Sequence, residues 1–147
     1  MNDLTLKILL ASLCVVAAIN DATASIIPPD DGSGSYGDLT YGEKHESDQL
    51  LRRETYVSYN TTNAADQIVF WYGNFNTSCV THVRSLNFGR ERGWTKSIYV
   101  GNGNTSKTVE INFLIAANKI VRLLFEVYGF PKPPNSKCQL DDHTVTQ

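Results

Sequence analysis

Acid–base and covalent catalysis need a base, usually histidine, within reach of a nucleophile and of a group that orients it. The chain holds three histidines, His45, His82 and His143, and none stands in a nucleophile motif. His45 lies among Glu43, Lys44 and Glu46, the composition of a solvated turn. His82, between Thr81 and Val83 in a strand-like run, reads as a half-exposed structural imidazole, and His143 belongs to a polar tail. Metal ligation asks for several His, Cys, Asp or Glu residues at close spacing, and neither a C-x-x-C nor an H-x-x-x-H pair occurs. The paired carboxylates Asp30-Asp31 and Asp141-Asp142 lie in polar stretches where solvated charge is the default. Gly32-Ser33-Gly34 and Gly101-Asn102-Gly103 lack the strand-to-helix setting of a phosphate loop and read as a linker and a hairpin turn. Arg84, Arg90 and Arg92 come close to Trp94 in the chain, the residue mix of a polyanion patch. Glu91 interrupts them and the chain is slightly acidic, so a charged loop beside an aromatic core residue is expected, with no nucleic-acid partner. Phe70, Trp71, Tyr72, Tyr56 and Tyr59 could line a ligand groove, although aromatic residues at strand spacing usually form core. The sequence therefore predicts no catalytic, cofactor-binding or metal-binding residue.

Covalent modification is the chemistry that the residues do support. Lys7 precedes an apolar run from Ile8 to Ile19, and Ala22-Thr23-Ala24 follows it. This is the three-part pattern of a secretory signal peptide, with cleavage expected after Ala24 and a mature chain from Ser25. Twelve residues in helical rise fall well short of a hydrocarbon core about 30 Å thick, and a buried core helix, the alternative, has no use for the small-residue triplet. Cleavage removes Lys7 from the 13 basic residues and Asp3 and Asp21 from the 15 acidic ones, which leaves a net charge of −1. No later stretch is long enough to span, and DDHTVTQ at the C-terminus is no glycolipid-anchor signal, so a soluble product without a membrane anchor is expected. Cleavage also removes Cys14 and leaves Cys79 and Cys138, a pair that an oxidising compartment usually closes into a disulfide. The alternative is two separate buried thiols, because spacing alone does not fix the distance between Cβ atoms. Asn60-Thr61-Thr62, Asn76-Thr77-Ser78 and Asn104-Thr105-Ser106 satisfy the N-glycosylation pattern, and Asn60, Asn76 and Asn104 are the expected acceptors. Asn76 lies three residues from Cys79, where an early bridge would hinder the transferase.

The elements that must position these groups read as strands. In TVEINFLI, Val109, Ile111, Phe113 and Ile115 point one way, and in KIVRLLFEVYG Val121, Leu123, Phe125 and Val127 do the same. Joined by Ala116, Ala117 and Asn118, the two runs predict a β-hairpin; a helix from Leu114 to Tyr128 is the rival, opposed by the β-branched and aromatic content. DQIVFWYGNF and CVTHVRSLNF are two more strand-like runs, joined through Gly73, Asn74 and Asn76. QLLRRETYVSYN alternates from Leu51 through Arg53, Thr55, Val57 and Tyr59, and TKSIYVG is a shorter strand. Turn signals every 8 to 12 residues imply an all-β domain, a small antiparallel sandwich or barrel of about six to seven strands. The organisation expected is a signal peptide over residues 1–24, a flexible leader over 25–38, an all-β domain over 39–130 and a Pro-rich polar tail over 131–147. The tail is expected to fold back only if Cys138 is tied to Cys79.

From YGEKHESDQLLRRE through VTHVRSLN and VGNGN to VEINFLIAANKIVRLLFEVYG, about residues 39 to 129, the chain resembles the insect multiprotein bridging factor 2 (MBF2) family. Gly42 with Leu50-Leu51, Val80-Thr81-His82-Val83, Gly101 and Gly103, and Tyr128-Gly129 carry the resemblance. Asn102 splits the glycine pair, and Asn87 stands where many members carry an aspartate. The resemblance implies two directions, because the family takes its name from a transcription coactivator that bridges a nuclear receptor and a general transcription factor, while many similar chains are secreted salivary or haemolymph peptides. The signal peptide, cysteine pair and sequons favour the second. The expectation is a secreted, non-enzymatic glycoprotein of insect secretions with a binding or structural role, its partner an extracellular protein or small molecule. The alternatives are the coactivator and a carrier of a small hydrophobic ligand in a barrel mouth.

Overall fold

A computed structural model describes residues 36–60, 65–88, 93–101, 108–132, 138 and 143–147. The signal peptide, its cleavage site after Ala24, and Asn104 lie outside the described residues. Eight strands follow one another: β1 (Leu39–Tyr41), β2 (Gln49–Asn60), β3 (Gln67–Asn74), β4 (Ser78–Asn87), β5 (Gly93–Gly101), β6 (Thr108–Ile115), β7 (Lys119–Pro131) and β8 (His143–Thr146). They form two four-stranded sheets, β1-β4-β7-β2 and β3-β6-β5-β8, and every pairing is antiparallel. The fold is an all-β antiparallel sandwich.

Alternation fixes the core. Val109, Ile111, Phe113 and Ile115 of β6 face Val121, Leu123, Phe125 and Val127 of β7, and all eight are fully buried. Phe125 is the hub, with ring centroids 5.2 Å from Trp71 and 5.9 Å from both Tyr56 and Phe113. Side chains thus fill the space between the sheets. One polar pair crosses it: the Ser85 and Thr95 hydroxyls, both fully buried, share a 2.7 Å hydrogen bond that satisfies both and ties β4 to β5.

The expected hairpin between TVEINFLI and KIVRLLFEVYG is corrected: β6 and β7 belong to opposite sheets and pack face to face. Their connection turns at Asn118, whose φ of 56° is left-handed, with the Lys119 N–H on the Ala116 carbonyl and the Ala117 N–H on Asp66 Oδ1. The β3 to β4 connection likewise changes sheets, around buried Phe75. Period-two burial is satisfied equally by in-plane pairing and by stacking, so sequence alternation does not separate them.

The alternation along β2 is interrupted. A bulge between Leu50 and Arg52 shifts the register against β7. Leu51 packs on the core, while Arg53, Thr55, Val57 and Tyr59 are exposed, and the inward set becomes Tyr56, Ser58 and Asn60. Residues on either side of the expected 39–130 domain also make ordered contacts. Tyr36 stacks edge-on against Trp94, and Asp38 Oδ1 accepts the Asn87 N–H at 2.6 Å, so the domain begins inside the expected leader. Residues 143–146 form β8 on β5, so the segment that carries His143 returns to the domain, the course expected of the tail if Cys138 is tied to Cys79.

Candidate functional site

Cys79, buried at the start of β4, and Cys138, which follows the end of β7, are joined in a disulfide, with Cα atoms 5.7 Å apart and a separation of 59 positions in sequence. The Lys132 N–H donates to the Thr77 carbonyl at 2.8 Å beside it, so the chain leaving β7 is fastened to β4 before it returns as β8. Asn76 lies exposed in the turn between β3 and β4. Asn60 is different. It is 1% exposed, and its Nδ2 donates to the carbonyls of Ala65 (2.9 Å), Ile115 (3.3 Å) and Ala116 (3.2 Å). N-glycosylation uses that nitrogen, so a glycan there would displace this arrangement, in which Asn60 serves as a structural amide that pins the end of β2 to the β6–β7 connection.

On the outer face of the first sheet, three strands bring one acid and two guanidinium groups into register, Arg53 opposite Glu126 and Glu126 opposite Arg84. The Glu126 carboxylate is 5% exposed and receives Arg53 Nη2 at 2.7 Å, Arg53 Nε at 2.9 Å, Arg84 Nη1 at 3.3 Å and the Tyr128 hydroxyl at 3.2 Å. Burial pushes this carboxyl up, but the hydrogen bonds from Arg53 and Tyr128 and the charges of Arg53 and Arg84 outweigh burial and hold it below its ordinary range. Beside this group Lys44 Nζ sits 4.3 Å above the Tyr128 ring, and His82 Nδ1 lies 3.1 Å from the Gly42 carbonyl. Burial also pushes the Asp38 carboxyl up, against the Asn87 N–H and the charge of Arg84. Arg84 is thus committed to Glu126, while Arg90 and Arg92 lie outside the described residues. Trp94 packs on Tyr36 and Leu114, away from Arg84's carboxylate partner.

The outer face of the second sheet is apolar along its edge. Ile68, Phe70 and Tyr72 of β3 point outward in one row and are 48%, 56% and 63% exposed, while Trp71 between them is buried. The Tyr72 hydroxyl is hydrogen-bonded to Glu110 of the adjoining β6, which pushes the phenol up. Next to Phe70, Asn112 Nδ2 donates to Ser97 Oγ at 2.9 Å. The aromatic set named from sequence is therefore divided: Tyr56 and Trp71 are core, Phe70 and Tyr72 cover one outer face, and Tyr59 stands 64% exposed on the other. The Arg53–Glu126–Arg84 group was not expected from sequence; its only linear signal is one charge at the outward phase of each of three strands.

Among the described residues no three His, Cys, Asp or Glu side chains converge as metal ligands would, and no helix is long and apolar enough to cross a membrane. Comparison with protein-family models, curated proteins and solved structures found no match.

Proposed function

We propose that this protein is an exported, non-enzymatic glycoprotein of insect secretions, of the bridging-factor-2-like kind, that works by binding through a sheet surface. The observation that carries the reading is the bridge between Cys79 and Cys138. A reducing cytosol does not maintain such a bond in a structural role, whereas the secretory pathway forms it. The signal-peptide pattern and the exposed Asn76 sequon agree with the same route. The working surface is the row of Ile68, Phe70 and Tyr72, because a contiguous exposed apolar strip on a soluble domain marks a contact site. A hydrophobic-ligand carrier draws no support from the core, whose interlayer space is occupied by Phe113, Phe125, Leu123 and their neighbours. The coactivator alternative rests on the family resemblance alone.

Expression of the full-length coding sequence in insect cells tests the reading. The conditioned medium is expected to contain a chain beginning at Ser25 whose intact mass falls on deglycosylation and gains two hydrogens on reduction. A cytosolic or nuclear product that retains Met1, carries no glycan and has both thiols free would overturn it.

A further inference from the structure

Large apolar side chains stand exposed at eight described positions, and six of them lie on two strands: Leu50, Val57 and Tyr59 on β2 and Ile68, Phe70 and Tyr72 on β3. β2 is an edge of one sheet, β3 is an edge of the other, and β2 packs over β6, the neighbour of β3, so both edges border the same flank of the sandwich. The β2 row points out of one sheet and the β3 row out of the other.

The four edges differ in how they resist such pairing. β1 has three residues and β8 four, too few to template a partner strand. β2 is broken by the bulge at Leu51 and carries Arg52 and Glu54, an ion pair at 2.7 Å whose guanidinium stands 5.3 Å from the centre of the Trp71 ring at the rim of the core. Bulges and inward-pointing charges are the devices that blunt an edge. β3 has none of them. Its eight residues, QIVFWYGN, pair with β6 without a register shift and include no charge and no proline. Among the described residues, one side of its backbone is left without a neighbouring strand.

We infer that β3 pairs antiparallel with β3 of a second copy, closing a two-fold dimer with a continuous eight-stranded sheet. The strand is self-complementary for this. With the axis at Phe70, Ile68 lies opposite the partner's Tyr72 and Phe70 opposite the partner's Phe70, all on one face. The mature chain's small net charge offers no strong repulsion. The three half-exposed side chains of the β3 row offer roughly 250 Å² per copy and the strand backbone adds to it, a contact at the small end for specific association, where stable complexes bury roughly 800 Å² per partner. The inference rests on the reading of the Ile68–Phe70–Tyr72 row as a contact surface and deepens it, because the dimer joins two rows into one strip.

Sedimentation velocity on mature, secreted protein between 1 and 100 µM tests it. The native chain is expected to be dimeric over this range. Phe70→Lys and Tyr72→Lys, at exposed positions, are expected to raise the dissociation constant more than tenfold while circular dichroism shows the fold unchanged, whereas Thr55→Lys on β2 leaves the constant alone. A native chain that stays monomeric at 100 µM overturns the inference, as does a dimer indifferent to both β3 variants. A chain shortened to begin at Tyr36 that dimerises when the mature chain does not would assign the edge to residues 25–35 instead, which also overturns it. Association is read by mass in solution, so its failure is distinguishable from failure of export, which is read by the N-terminus and the modifications.

Discussion

Asn60→Ala separates two roles that one side chain cannot hold together. In the folded protein the Asn60 amide offers its two N–H groups to three carbonyls, those of Ala65, Ile115 and Ala116. Losing two hydrogen bonds removes about 2 kcal/mol, and the stranded carbonyls of the β6–β7 connection add about 1 kcal/mol. Asn60 Oδ1 is itself buried with no partner, so its removal returns about 1 kcal/mol. The net loss is about 2 kcal/mol, which for a chain of this size lowers the thermal midpoint by about 6–10 °C. The companion variant Thr62→Ala destroys the sequon and leaves the amide in place. It is expected to match the native chain in unfolding midpoint and to differ in intact mass by the Thr-to-Ala change alone. Thermal unfolding by circular dichroism and peptide mass mapping of secreted protein are the assays. A glycan found on Asn60 of folded, secreted protein, or an Asn60→Ala variant within about 0.5 kcal/mol of native, refutes the reasoning.

Three further outcomes follow from the same geometry. Replacing Cys79 and Cys138 together by serine opens a loop closed across 59 residues and is expected to cost about 4 kcal/mol by chain entropy, with amide exchange rising first in β8; unfolding in urea and hydrogen exchange measure both. Glu126 has its carboxyl held low in the folded chain, so the unfolded chain takes up its proton first as pH falls; the stability Glu126 contributes is present above the ordinary carboxylate value of about 4.3 and is lost below it, down through the folded value. Glu126→Gln is expected to flatten the acid limb of a midpoint-against-pH curve, and an unchanged limb would count against the pairing with Arg53 and Arg84. Gly42 sits at a φ of 65° with the Thr81 backbone carbonyl where a Cβ would be, so Gly42→Ala is expected to lose about 1–3 kcal/mol in denaturant unfolding.

For β6 and β7 the sequence by itself determined which side chains are buried. Val109 to Ile115 and Val121 to Val127 alternate at a period of two, and that pattern depends only on the backbone pleat. It also limited the bridge, since Cys79 and Cys138 are the only cysteines after the expected cleavage site. Tertiary structure decided which strands are neighbours, because a buried face is satisfied by any apolar surface and carries no label for its mate. The bulge at Leu51 exchanged the two faces of β2 by inserting one residue that no local propensity marks. The same dependence on distant chain governs the setting of Asn60. Its sequon is complete within three residues, but the carbonyls that hold its amide come from positions 55 and 56 residues away. Exposure of the β3 row was decided in the same way, by β3 falling at the edge of its sheet, while the residues themselves read as core.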